Sequence, residues 1–236
     1  MRYITAVGLI LASLTAFAAD DYREVHELSV TADGLGTLVI DADSGSLDVR
    51  GVAGENSIKV RATIIVDNAD EEEGRKFISK RVELRLDRDD DAAQLIARVD
   101  QPMLRWGSGG RIDIEVVAPP TVALRIDDGS GPIEVADFVA DILIDDGSGS
   151  IDVRSVGNLE IDDGSGSIEV NRASGNVYVN DGSGSLTIED VGGSVTIDDG
   201  SGSIRVNDVA GDLIIVDSGS GSVSFSGIEG TVEQDD

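Results

Sequence analysis

Ile144-Asp145-Asp146-Gly147-Ser148-Gly149-Ser150, the phrase IDDGSGS, is the stretch whose reading decides the fold. It returns down the C-terminal half of the chain. Counting the Ile or Val that opens each copy gives Ile126, Ile144, Ile161, Val179, Ile197 and Val216, at steps of 18, 17, 18, 18 and 19 residues. A short fixed period of this kind means stacked structural units. One more copy stands far upstream, at Asp41-Ala42-Asp43-Ser44-Gly45-Ser46-Leu47-Asp48-Val49, with Asp43 where the first glycine of the phrase falls. The repeat therefore begins early, is interrupted and resumes.

Each unit predicts two short strands and two turns. In the copy from Leu159, Leu159 and Ile161 alternate with Glu160, so the two apolar residues share one face. Asp162-Asp163-Gly164-Ser165-Gly166 turns the chain, since glycine tolerates positive φ and Asp and Ser side chains satisfy free turn amides. Ile168 and Val170 alternate with Glu169, Ala173 points in again, and Gly175 makes the second turn. Short strands at this spacing suit an up-and-down sandwich or barrel. They also suit a solenoid, in which each unit is one coil lying parallel on the next. A meander gives no reason for near-identical units, whereas a solenoid sets each residue on its own equivalent. The sequence repeats in such columns: Ile126, Ile144, Ile161, Val179, Ile197; Ile133, Ile151, Ile168, Leu186, Ile204, Val223; and Val135, Val153, Val170, Ile188, Val206, Phe225. Stacking buries apolar columns that no single coil could bury alone. The expected class is all-β: a parallel β-solenoid with coils of about 18 residues.

The chain has 236 residues, no cysteine, one histidine and a net charge of −28. There is no disulfide framework and no thiolate chemistry. The charge excludes nucleic-acid binding through a basic face and disfavours anionic membranes. Residues 121–236 carry 24 acidic residues against four arginines, Arg125, Arg154, Arg172 and Arg205, so most of the negative charge lies on the repeats. The first residues read as a signal peptide: Met1-Arg2, an apolar run from Ile4 to Leu14, then Ala16-Phe17-Ala18. Cleavage is expected after Ala18, or after Ala19. Residues 1–18 are then a leader, and the mature chain is exported to the periplasm or the outside of a bacterial cell, with no membrane span.

Residues 19–120 read as an irregular β section with one short helix, continuous with the solenoid and capping it. A polar leader containing His26 comes first. Ser57 to Val66, Val82 to Arg88, Ala93 to Val99 and Arg111 to Val117 read as strands, with Asp89-Asp90-Asp91 as a tight turn. The helix is expected over about 68–81, with Asn68 as N-cap and Glu71 completing a capping-box pair. Acids at Asp70 to Glu73 and bases at Arg75, Lys76, Lys80 and Arg81 suit the helix dipole. Its small apolar face, Phe77 and Ile78, and its Gly74 favour a cover for a sheet edge over a docking helix. Trp106, the only tryptophan, sits in a glycine-rich loop and is expected to close the core rather than touch a sugar. Residues 121–230 are the regular repeats. The acidic tail, 231–236, belongs to a short segment from Glu229 that would protect the far end.

The chemistry turns on two aspartate columns. The outward one is Asp127, Asp145, Asp162, Asn180, Asp198, Asp217. The next is Asp128, Asp146, Asp163, Asp181, Asp199, ending in Ser218. Carboxylates beside serine hydroxyls and glycine carbonyls are calcium's preferred chemistry, so Asp128, Asp146, Asp163, Asp181 and Asp199 are the calcium candidates. Against this, Asp-Gly and Ser-Gly are good turn formers, and the spacing matches neither the calcium-roll nonapeptide nor an EF-hand. Solvated, turn-forming aspartates are the simpler reading. No catalytic residue stands out. A Ser-His-Asp triad would have to recruit His26 from the leader, and a glycosidase pair needs one distinct acid in a cleft, which repetition does not provide.

At Val116-Val117-Ala118-Pro119-Pro120-Thr121-Val122-Ala123-Leu124-Arg125-Ile126 the chain runs strand, proline, strand and then a Gly-Ser-Gly turn. This order resembles the bacterial "putative adhesin" family, exported β-solenoid domains of unknown function related to the head-GIN adhesin domains. Residues 41–61, DADSGSLDVRGVAGENSIKVR, match the opening copy that such domains carry. The resemblance spans nearly the whole mature chain; the chain departs from it in using DDGSG where a threonine- or serine-rich turn is commoner. It implies a right-handed solenoid, an envelope or surface role and no catalytic residues. The combined expectation is a non-enzymatic exported protein that binds or scaffolds an envelope or surface protein or a glycan, with no cofactor. The alternatives are a calcium-dependent solenoid and, behind it, an enzyme acting on polysaccharide.

Overall fold

The computed structural model describes residues 21–101 and 109–235. The leader and Trp106 lie outside the described residues. Two ten-stranded sheets face each other, and the chain winds between them as a parallel β-solenoid of about six turns. Each regular coil gives one strand to each sheet. Leu159–Asp163 lies in one and Gly166–Ala173 in the other, and the same holds for Val177–Asp181 with Gly184–Val191 and for Val195–Asp199 with Gly202–Val209.

Neighbouring coils are in register residue on residue. Ile126, Ile144, Ile161, Val179 and Ile197 form one continuous column, as do Ile133, Ile151, Ile168, Leu186, Ile204 and Val223. The members of both columns from Ile126 to Ile204 are almost wholly buried. A thin core of Ile, Val and Leu thus runs the length of the stack, as identical rungs require. The last copy departs from the sequence reading. Ile215, not Val216, stands on Ile197; the register then slips by one, so that Asp217 stands on Asp198 and Val216 is 46% exposed. The run Ile214-Ile215-Val216 offers three apolar candidates for one inward place, and the ladder selects the middle one.

The early copy is a coil of the same stack. Ile40 lies beside Ile126, Leu47 beside Ile133 and Val49 beside Val135. The intervening chain builds the capped end on its other side, where Ala92–Val99 and Gly110–Ala118 still run parallel to the coil. Beyond them the pairing turns antiparallel: Val82–Asp89 on Ala92–Val99, Ser57–Val66 on Gly110–Ala118, and Tyr22–Thr31 on Ser57–Val66. The polar leader of the sequence reading is in fact that last, ten-residue edge strand. It alternates only weakly because an edge strand buries neither face fully.

The helix spans Glu71–Arg81 and packs on the strands Tyr22–Thr31, Ser57–Val66 and Val82–Asp89, covering the end of the stack. Its N-cap is Asp70, whose Oδ1 accepts the Glu73 amide at 2.9 Å, rather than Asn68. Asn68 adopts φ 49°, outside the extended region an N-cap requires. Gly74 is there for space: a Cβ would stand 2.2 Å from the Tyr22 ring. At the far end Val232–Gln234 adds a rung on Leu213–Asp217 instead of folding over it, and Phe225 and Val232 stay partly exposed.

Candidate functional site

The phrase IDDGSGS forms one corner of each coil. Gly166 has φ 155°, and a Cβ there would lie 1.6 Å from the carbonyl oxygen of Gly149 in the coil below. Only glycine permits both the backbone angle and that approach. The strand entering the corner keeps strict alternation through the two aspartates. Ile161 points in, Asp162 out and Asp163 in, and the other four copies do the same.

The second column therefore corrects the solvated reading. Asp128, Asp146, Asp163, Asp181 and Asp199 are buried, with 5% of the surface of Asp128 exposed and 1–2% of each of the others, and they are the only buried charged residues among those described. Each stacks on the next in register. In four of them Oδ1 accepts the backbone amide two residues on: Ser148 at 3.3 Å, Ser165 at 3.2 Å, Ser183 at 3.0 Å and Ser201 at 3.1 Å. The Oδ2 atoms of Asp128, Asp146, Asp163 and Asp181 are buried and receive no donor from the protein. Burial pushes Asp128 up to about 7, with the Asp146 carboxylate next in effect. Burial likewise pushes Asp163 and Asp181 up to about 6, and raises Asp146 and Asp199 above the usual carboxylate range. The signal was present in the sequence as alternation; the rule that acids face water hid it.

The calcium expectation on these five residues meets a single file, not a cage. Among the described residues no three acidic or histidine side chains converge as a metal centre requires. Calcium takes six to eight oxygens, and neighbouring rungs supply two carboxylates at each level of the stack. His26 lies on the edge strand, its Nε2 2.8 Å from Glu24 Oε1.

The opposite corner is built differently. Asn158 Oδ1 accepts the Asn176 amide at 2.9 Å, Asn176 Oδ1 the Ser194 amide at 2.9 Å, Ser194 Oγ the Asp212 amide at 3.0 Å and Asp212 Oδ1 the Thr231 amide at 2.7 Å. Just before this corner, Asp137, Ser155, Arg172, Asp190 and Asp208 all have φ between 56° and 66°. That residue adds a bulge, so Asn171 and Arg172 both face out before Ala173 returns to the core.

The outer faces are flat and polar. On one sheet Ser150, Ser167, Ser185 and Ser203 form a file of exposed hydroxyls beside Asp152, Glu169 and Thr187. Two shallow grooves of about 210 Å³ cross it. One is bordered by Arg50, Arg154 and Arg172. Arg50 pairs with Asp48 at 3.1 Å and Arg154 with Asp152, while Arg172 Nε donates to Ser155 Oγ at 3.2 Å. No helix among the described residues is long and apolar enough to cross a membrane.

No protein-family model matches the sequence, and no curated protein matches it significantly. Solved structures do. The crystal structure of a "putative adhesin" from Bacteroides fragilis is similar over 89% of this chain and 97% of its own, at 12% identity and a TM-score of 0.42. That of a "putative cell adhesion protein" from Clostridium sporogenes is similar over 91% and 100%, at 11% identity and a TM-score of 0.35. A "putative lipid binding protein" from Parabacteroides distasonis is similar over 90% and 94%, at 13% identity and a TM-score of 0.40.

Proposed function

We propose that the protein is an exported, non-enzymatic binding or scaffolding rod of the bacterial envelope or surface, which engages a protein or glycan through its flat, acidic faces. The observation that carries this reading is the repetition of outward residues in register. Ser150, Ser167, Ser185 and Ser203 present hydroxyls at the strand spacing of about 4.8 Å, flanked by Asp152 and Glu169. A surface of identical rungs suits an extended partner that touches several rungs at once, each weakly. Catalysis needs unlike groups at one point, and the polar groups here recur coil after coil. Export rests on the leader read at residues 1–18.

Binding of the chain as exported to isolated cell-wall glycan and to envelope protein fractions tests the reading, with a triple variant Glu134→Lys, Asp152→Lys, Glu169→Lys as the control. The expected result is retention on one fraction, at least tenfold weakened by the variant at unchanged melting temperature. Equal retention of both proteins would sink the role of this face. Turnover of a polysaccharide by the wild type would replace binding with catalysis. An N-terminus other than Ala19 or Asp20 on the secreted chain would move the cleavage site.

A further inference from the structure

The buried aspartates play no part in that surface reading, yet their cost demands an account. A buried carboxylate is tolerated when its lone pairs are satisfied. Here one oxygen of each of Asp146, Asp163 and Asp181 is satisfied by its own turn, and the other is buried with no donor in a column where each Asp stacks on the next. The adjacent rungs sit about 4.8 Å apart, close enough for two carboxyl groups leaning together to share a hydrogen bond. The leading charges acting on the column from outside it are other acids. These are Asp127, Asp145, Asp162 and Asp198 on the same strands, Asp43 at the capped end and Asp217 at the far end. The turn behind the column supplies only Gly and Ser, and the inner positions of the facing strands are Ile, Val, Leu and Ala. The column stops where Ala42 takes the place beside Asp128, and, beyond Asp199, at the register slip before Ser218.

We propose that Asp128, Asp146, Asp163, Asp181 and Asp199 form a proton-binding ladder, in which a carboxylic acid on one rung donates to the free oxygen of the carboxylate on the next. The ligand is a proton delivered by hydronium: one O–H bond of the hydronium breaks, releasing water, as one carboxyl O–H bond forms. Proton sharing needs two oxygens, which neighbouring rungs have, whereas a divalent cation needs six or more. Two acids at this separation cannot both ionise freely, the logic of paired carboxylates elsewhere. The direction of the shifts agrees: the folded values lie above the ordinary value near 4, to about 6 or 7. The folded chain therefore holds more protons than the unfolded chain between roughly pH 4 and 7. The stabilisation is complete below the unfolded value and is lost as pH rises through 6 to 7. The coils bind one another more tightly in mild acid, the reverse of ordinary acid denaturation.

The decisive measurement is carboxyl carbon NMR on the exported chain, titrated from pH 3 to 9. Side-chain signals of the five residues are expected to titrate in coupled steps with at least two midpoints above 5.5. Midpoints near 4 throughout the column would overturn the proposal. Melting temperature against pH gives the second arm, since relief of surface repulsion alone also stabilises an acidic protein in acid. Asp163→Asn with Asp181→Asn supplies permanent donors, so its fall in melting temperature between pH 5 and 8 should be smaller than that of the wild type. Asp162→Asn, on the outer face, should change the slope less than the double variant does. Equal slopes in all three proteins would count against the ladder, and if the double variant does not fold the NMR titration decides alone. A rise in melting temperature with calcium chloride at pH 8, reversed by chelator and lost in the double variant, would show a cation column instead.

Discussion

The two corners of each coil solve one problem in opposite ways. Both must turn the chain and satisfy amides that the strands leave free. At the Asn176 corner a short side chain reaches across to the next coil, so every rung ties the one above it. At the Asp163 corner the side chain folds back onto its own turn, and the second oxygen is left buried without a donor. The first corner is closed by fixed hydrogen bonds at any pH. The second is completed only by something that comes from solvent. The backbone differs in where it takes positive φ: one corner does so at a glycine pressed on the coil below, whereas the other does so at Asp, Ser or Arg just before its own closely packed glycines, Gly175, Gly193 and Gly211.

The sharpest break of that comparison is at glycine. Gly166→Val would drive a side chain into the Gly149 carbonyl at a φ closed to valine. The expected loss is about 4 kcal/mol or more, read as a large drop in the urea midpoint. The nearest change at the other corner, Ser155→Val, meets the backbone strain and gives up the exposed Arg172 hydrogen bond, and should cost about 1–2 kcal/mol. Next comes the contrast within the Asp-Asp pair. Asp163→Lys buries an unpaired ammonium and should cost about 3–4 kcal/mol, while Asp162→Lys, one residue away on the outer face, should change stability by less than about 1 kcal/mol. Equal effects would contradict the inward placement of the second aspartate.

That pair also marks the limit of what the residues disclose. The columns from Ile126 and Ile133 were legible because in-register stacking makes like stand on like, and a sequence can show that directly. The early coil at Asp41 to Val49 was legible for the same reason. The burial of Asp163 was legible in form, as alternation, but was overruled by the expectation that carboxylates face water. Only the depth of the corner, set by glycine contacts between coils, reverses that expectation. The strand Tyr22–Thr31 was missed because its partner lies 26 to 44 residues away in antiparallel register, a relation no local pattern carries. The register slip at Val216 was hidden by three consecutive apolar residues. The ladder of Asn158, Asn176, Ser194 and Asp212 was missed because three residue types perform one task, so the column does not look like a repeat.

The cost of that second ladder can be measured one rung at a time. Asn176→Ala removes the acceptor for the Ser194 amide on an exposed corner, where water can replace it. A loss of about 1 kcal/mol is expected, the usual net worth of such a bond. Asn176→Asp keeps the acceptor and should recover most of it at low pH. If alanine is neutral, the cross-coil bonds decorate the corner without holding it.

The smallest effect runs the other way. Arg172 holds φ 61°, where a β-carbon crowds the backbone, and the same place is taken by aspartate in three other coils and by Gly227 in the last. Asp tolerates this region through local hydrogen bonding; arginine has no such recourse. Its guanidinium reaches Ser155 and Asn171, both exposed contacts worth little. Arg172→Gly releases the strain but loosens the unfolded chain, two terms of opposite sign. The balance expected is a gain of about 0.5–1 kcal/mol, and Arg172→Asn should give a similar gain without the added freedom. A loss in both would mean that the arginine side chain holds the groove between Arg50, Arg154 and Ser155 in shape, and the tolerance of this corner for non-glycine residues would then rest on its side chains rather than its backbone.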